Sequence, residues 1–148
     1  MRTITAYFHT PAYHNKPINH MVAQYDPPYS HVDLRFEDGM MSSVYQHCGA
    51  IWRACDFNRA QRVEIEVSDD GYQRAYEMCS RRAELGYKFD FEGAYGFALQ
   101  KSTATHSSDR TFCSKNCVEA LQIAGVGKLV GIDASATTPS ALFRALEN

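Results

Sequence analysis

Ser30-His31-Val32-Asp33-Leu34-Arg35-Phe36-Glu37-Asp38-Gly39-Met40-Met41-Ser42-Ser43-Val44-Tyr45-Gln46 spells a β-hairpin. Val32, Leu34 and Phe36 alternate with His31, Asp33 and Arg35, the period-two pattern of a strand with one apolar and one polar face. Glu37-Asp38-Gly39 then reads as a turn, because a glycine after aspartate adopts the positive φ that a tight hairpin needs. Met40 to Gln46 is the returning strand, with Ser42 and Ser43 on opposite faces.

On the N-terminal side, Thr3 to Phe8 has the β-branched and aromatic content of a further strand, and the prolines between Pro11 and Pro17 and at Pro27-Pro28 read as turns. Towards the C-terminus, Val63, Ile65 and Val67 alternate with Glu64 and Glu66, giving a strand over Gln61 to Val67. Ser68 and Asp69-Asp70 supply a cap and an acidic first turn for a helix. Its apolar stripe, Tyr72, Ala75, Tyr76, Cys79 and Ala83, ends at Gly86. Tyr87 to Leu99 has no clear periodicity, and Lys101 to Arg110 reads as a polar loop. A helix follows from about Phe112 to Ala124, and a short one from Pro139 to Leu146 with Thr138 as cap. Strands first and helices after predict an α+β fold, a small antiparallel sheet packed against helices, in one domain over residues 1–148.

Composition narrows the function. Fifteen basic and seventeen acidic residues give a net charge of −2, without the concentrated positive face that nucleic acid or an anionic membrane surface requires. No apolar run approaches the ~20 residues of a spanning helix, and the first residues lack a secretory pattern. Five cysteines, an odd number, read as reduced thiols in a cytosol-like compartment at synthesis.

Cys113 stands out among these thiols. It opens a helix directly after the polar loop, where unpaired backbone N–H groups and the helix dipole stabilise a thiolate and can hold an oxyanion. Cys117 lies one turn further on the apolar face, as Cys79 does on its own helix, and both read as core. His31, on the polar side of its strand, is the matching base: a neutral imidazole takes the thiol proton and the imidazolium returns it to the leaving group. A third group must orient that imidazole. Ser42 on the returning strand is the first choice, with Gln46 and Asp33 as alternatives; Asp33 is two residues from His31 on the same strand, an awkward spacing.

Other chemistries fit less well. Cys113-x-x-x-Cys117 and His47-Cys48 with Cys55 have zinc-ligand types but no CxxC pair. Gly125-Val126-Gly127-Lys128 ends a helix rather than joining a strand to one, so it lacks the mechanics of a phosphate loop. Glu64 and Glu66 read as the solvated side of a strand. No cofactor and no metal is expected.

Tyr29-Ser30-His31-Val32-Asp33-Leu34, the glycine hairpin after it and the late Phe112-Cys113-Ser114 together resemble the circularly permuted papain-like hydrolases, the group of the NlpC-type peptidases and the lecithin:retinol acyltransferase-like enzymes. The segment Tyr87 to Gly93 is similar to their Tyr-Asp-containing segment before the nucleophile helix, and the likeness spans about Tyr29 to Gly125. It implies a permuted papain-like fold with Cys113 as nucleophile and His31 as base. The third position, often His or Glu in that group, falls at Ser42 here. The implied activity is that of a cysteine hydrolase or acyltransferase acting on an amide or ester through a thioester. A peptide, peptidoglycan stem peptides in particular, is the implied substrate, reached after lysis or injection. The alternatives are an inactive binding or assembly protein on the same fold, with a protein partner, and a zinc-stabilised interaction domain.

Overall fold

Apolar side chains at alternate positions of four segments can be buried together only if the segments pair side by side, and they do. The computed structural model describes residues 1–12, 16–94 and 109–148. In it β1 (Arg2–His9), β2 (His31–Arg35), β3 (Met40–Tyr45), β4 (Gly49–Ala54) and β5 (Gln61–Val67) form a five-stranded sheet in the order β4-β3-β2-β1-β5, with every pairing antiparallel. The α+β expectation holds at that level.

Register decides which side chains share a face, because residues directly opposite in an antiparallel pair point the same way. Ala6 pairs with Leu34 and with Val63, and Ile4 with Ile65. These residues, with Phe8, Val32 and Val67, make one buried face under the helices. Those helices are α2 (Asp69–Glu84), α3 (Cys113–Ile123) and α4 (Pro139–Glu147). Tyr72, Ala75 and Cys79 of α2, Val118, Ala120 and Leu121 of α3, and Leu142 and Leu146 of α4 complete the core. Ser68 caps α2 as expected, its Oγ accepting from the Gly71 N–H at 3.0 Å.

The opposite face corrects one expectation. His31, Asp33 and Ser43 alternate with apolar residues, yet they are buried rather than solvated. Tyr7 pairs with Asp33 and His9 with His31 across β1 and β2, and Phe57 lies against Tyr7 and His9. The polar side of the hairpin therefore faces a second packed layer, and its polar groups need partners inside the protein.

Two elements depart from the turns and unassigned residues expected in their place. Pro17 starts α1 (Pro17–Tyr25), since the first helical turn has no use for the N–H that proline lacks. Ile18 and Val22, one turn apart, pack with Ala94 and Phe112. Residues 49–54 form β4, an edge strand whose last two residues are exposed, so its sequence carries little alternation. Its first residue, Gly49, has φ +72°, and a Cβ there would lie 2.2 Å from the carbonyl oxygen of Tyr87. Beyond Tyr87, β6 (Lys88–Phe89) pairs in parallel with β7 (Arg110–Thr111), which carries the chain to the start of α3. The segment expected as a polar loop falls mostly at residues 101–108, outside those described.

Candidate active site

β1 and β2 pair along five positions, but β2 and β3 pair only at Leu34 with Ser42 and Arg35 with Met41. Past that point the ladder ends, and a cleft of about 370 Å³ opens there, lined by His31 from β2 and by Val44, Tyr45 and Gln46 from β3 and its end. Cys113 and Ser114 at the start of α3 form another part of its wall. Ile18 and Val22 of α1, with Phe89, Phe91 and Phe112, make the remainder largely apolar. The first thirty residues thus build one side of the cleft.

Cys113 is partly exposed and is the first residue of α3; Phe112 before it contributes no side-chain cap. The sequence puts a thiol where an α-helix presents unpaired N–H groups. Cys117 and Cys79 are buried, as their helix spacing indicates. Burial pushes the Cys79 thiol up to about 11 and the Cys117 thiol well above its ordinary value, with the nearby Cys113 sulfur adding to the latter. Neither ionises readily.

His31 meets Cys113 at the cleft. Its Nε2 lies 2.7 Å from Asp33 Oδ1, and the Cys113 side chain is also close enough to act on its ring. An ionised carboxylate only accepts, so Nε2 carries a hydrogen and Nδ1 is left to face the thiol. Burial favours the neutral ring, but the Asp33 carboxylate and the Cys113 sulfur outweigh it and hold the His31 pKa well above the usual imidazole value. Burial likewise acts to raise the Asp33 pKa. The charge and hydrogen bond of His31, with a hydrogen bond from His9, instead hold that carboxyl well below the ordinary range. Tyr45 stacks on His31 with ring centroids 5.0 Å apart and planes 11° apart, which fixes the plane of the imidazole.

Ser42, the first choice for the orienting group, is elsewhere. Its pairing with Leu34 puts its side chain on the helix side of the sheet, opposite to that of His31 and Asp33. There its Oγ accepts from Asn116 Nδ2 at 3.0 Å, and Asn116 Oδ1 in turn accepts from Arg82 Nη1 at 3.2 Å. Asp33 is the group that meets the imidazole instead, despite the short spacing, because side chains on a strand lean along its direction and a ring can reach a carboxylate two residues on. Gln46, the other alternative, lines the cleft. Its buried Oε1 has no hydrogen-bond partner among the described residues, and the same holds for Ser114 Oγ beside the thiol.

Two participants escape a sequence reading. Tyr45 becomes visible only once the end of β3 is seen to stand beside His31. His9 shares its parity with Tyr7 in a strand of alternating character, but its meeting with Asp33 depends on a β1–β2 register that no local pattern encodes. Among the described residues no group of three or more His, Cys, Asp or Glu is arranged to hold a metal ion, so the zinc alternative gains no geometric support there. No helix among them is long and apolar enough to cross a membrane. Comparison with known proteins found no matching family model, curated protein or solved structure.

Proposed function

We propose that the protein is a cysteine hydrolase or acyltransferase that opens an amide or ester bond through a thioester on Cys113. One observation carries this reading: a partly exposed thiol at a helix N-terminus lines the same cleft as an imidazole whose Nε2 is held by a buried carboxylate. A thiol, an imidazole and a carboxylate in that order support thiol catalysis, with Cys113 as nucleophile, His31 as base and Asp33 as orienting group.

In the reaction the thiol proton is already on His31 Nδ1, in the charged ring that Asp33 supports, and Cys113 Sγ attacks the substrate carbonyl carbon as the thiolate. The carbonyl electrons move onto oxygen, where the Cys113 backbone N–H at the start of α3 stabilises the oxyanion. Collapse of that intermediate breaks the bond to the leaving amine or alkoxide, which receives the proton from the His31 imidazolium. Water, or another acceptor, then gives a proton to His31 and bonds the thioester carbonyl carbon; the carbon–sulfur bond breaks, the acyl group leaves on the acceptor, and the Cys113 sulfur and protonated His31 are back as at the start.

The mostly apolar wall of the cleft favours substrates whose acyl side is apolar. Peptide amides are the first class to assay, peptidoglycan stem peptides among them, beside simple acyl esters. The test exposes the protein to both panels and maps acyl adducts by mass spectrometry. Expected is an adduct on Cys113 that turns over with water and is missing in Cys113→Ala, together with iodoacetamide labelling of Cys113 at pH 6 faster than that of the other four thiols. Labelling of Cys113 no faster than the half-buried Cys55, with no adduct from any substrate, would overturn the proposal in favour of an inactive binding protein on this fold.

A further inference from the structure

Asp33 has no exposed surface, and its two carboxylate oxygens are claimed by two different imidazoles. Oδ1 is 2.7 Å from His31 Nε2 and Oδ2 is 3.0 Å from His9 Nε2. The arrangement is built into the sheet, because His9 stands directly opposite His31 and Tyr7 directly opposite Asp33 in the β1–β2 register. His9 is itself buried, with Phe57 edge-on to its ring at 4.7 Å. It is therefore not a surface histidine that swings in by chance.

A single hydrogen bond from His31 leaves a buried carboxylate free to turn about its Cβ–Cγ bond, and it leaves one oxygen unsatisfied in a low-dielectric interior. The second imidazole removes both problems. We infer that His9 is a positioning residue which, through Asp33, fixes the orientation and ionisation of the His31 imidazole that faces Cys113. The chain of contacts runs Cys113, His31, Asp33, His9, and it ties α3 to β2 and β1. This inference rests on the proposal that His31 serves Cys113 as base. The titratable groups acting on Asp33 are His31 from its own strand and His9 from β1; on the α3 side, Cys113 acts on His31 and Cys117 feels the Asp33 charge.

The test compares His9→Phe, which keeps a ring against Phe57 but loses the donor, with His9→Gln, whose side-chain amide can donate to the same oxygen. Readouts are the rate of iodoacetamide labelling of Cys113 at pH 6 and the titration midpoint of His31 by imidazole NMR. In His9→Phe the labelling rate is expected to fall about tenfold, the change that a shift of about one pKa unit in the His31 midpoint produces, and that midpoint to move down. His9→Gln restores both to near wild type. A separate measurement needs no substitution: in the wild-type protein His9 Nε2 carries a hydrogen, and a bare Nε2 would overturn the inference even if His9→Phe fails to fold. Unchanged labelling and an unchanged midpoint in His9→Phe, with labelling lost in His31→Ala, would refute the role of His9 alone. Unchanged labelling in His31→Ala would instead remove the base reading on which it rests.

Discussion

Ser42 and Asp33 show how one residue's parity on a strand decides its chemistry. Both are short polar side chains near His31 in sequence, but Ser42 pairs with Leu34 and so joins the helix side of the sheet. Its hydroxyl accepts from the buried Asn116, which links it to Arg82 and Glu119. Ser42→Ala leaves the Asn116 Nδ2 donor without that acceptor, and a buried donor left unpaired costs about 1–3 kcal/mol. The expected outcome is a lower denaturant midpoint with an unchanged rate of Cys113 labelling. A large drop in labelling from a still-folded Ser42→Ala would return Ser42 to the orienting position. The nucleophile and base candidates were legible because a cysteine opening a helix and a histidine at an alternating strand position are local patterns. The carboxylate that meets the imidazole was not, because that contact depends on where strands pair and how far a ring leans along its own strand.

At the level of elements, the position of Cys113 depends on how α3 is docked, and one glycine controls that docking. Gly71 in the first turn of α2 approaches the end of α3 so closely that a Cβ would lie 2.1 Å from the Ala124 carbonyl oxygen. Glycine inside a helix ordinarily costs about 0.5–1 kcal/mol relative to alanine, so Gly71→Ala would stabilise an isolated α2. Here the clash is with backbone, which cannot rotate away, and overpacking of this kind costs about 1–3 kcal/mol. Thermal melts of Gly71→Ala are expected to show a net loss of stability, and a gain would mean that the two helices are less tightly apposed than described. The apolar stripe of α2 and its cap were plain in the sequence. The close approach was not, since Gly71 lies in a run of residues with ordinary helical spacing. Much the same holds for α1 and β4: their apolar residues are too few for periodicity, and what fixes them is burial against Phe112 in one case and pairing with β3 in the other.

For the molecule as a whole, a buried charge cluster spanning β1, β2 and the start of α3 makes folding sensitive to pH. Asp33 has a lowered pKa in the folded protein, so its contribution is complete above the unfolded carboxylate value of about 4 and fades as pH falls towards the folded value. His31 has a raised pKa, so its contribution is complete below the unfolded imidazole value of about 6.5 and fades as pH rises through the folded value. Both are present in full only between about pH 4 and 6.5, the interval set by the two unfolded values. Asp33→Asn removes the carboxylate and with it the electrostatic support for the imidazolium, while the altered packing adds an offset that does not vary with pH. Melting temperatures of wild type and Asp33→Asn, measured side by side across the acid and alkaline range, should therefore differ most within that interval and converge on either side of it. A difference that stays constant from the acid to the alkaline end would mean that the two side chains meet as a neutral hydrogen-bonded pair, and the imidazolium proposed to protonate the leaving group would then have to form only when Cys113 gives up its proton during the reaction.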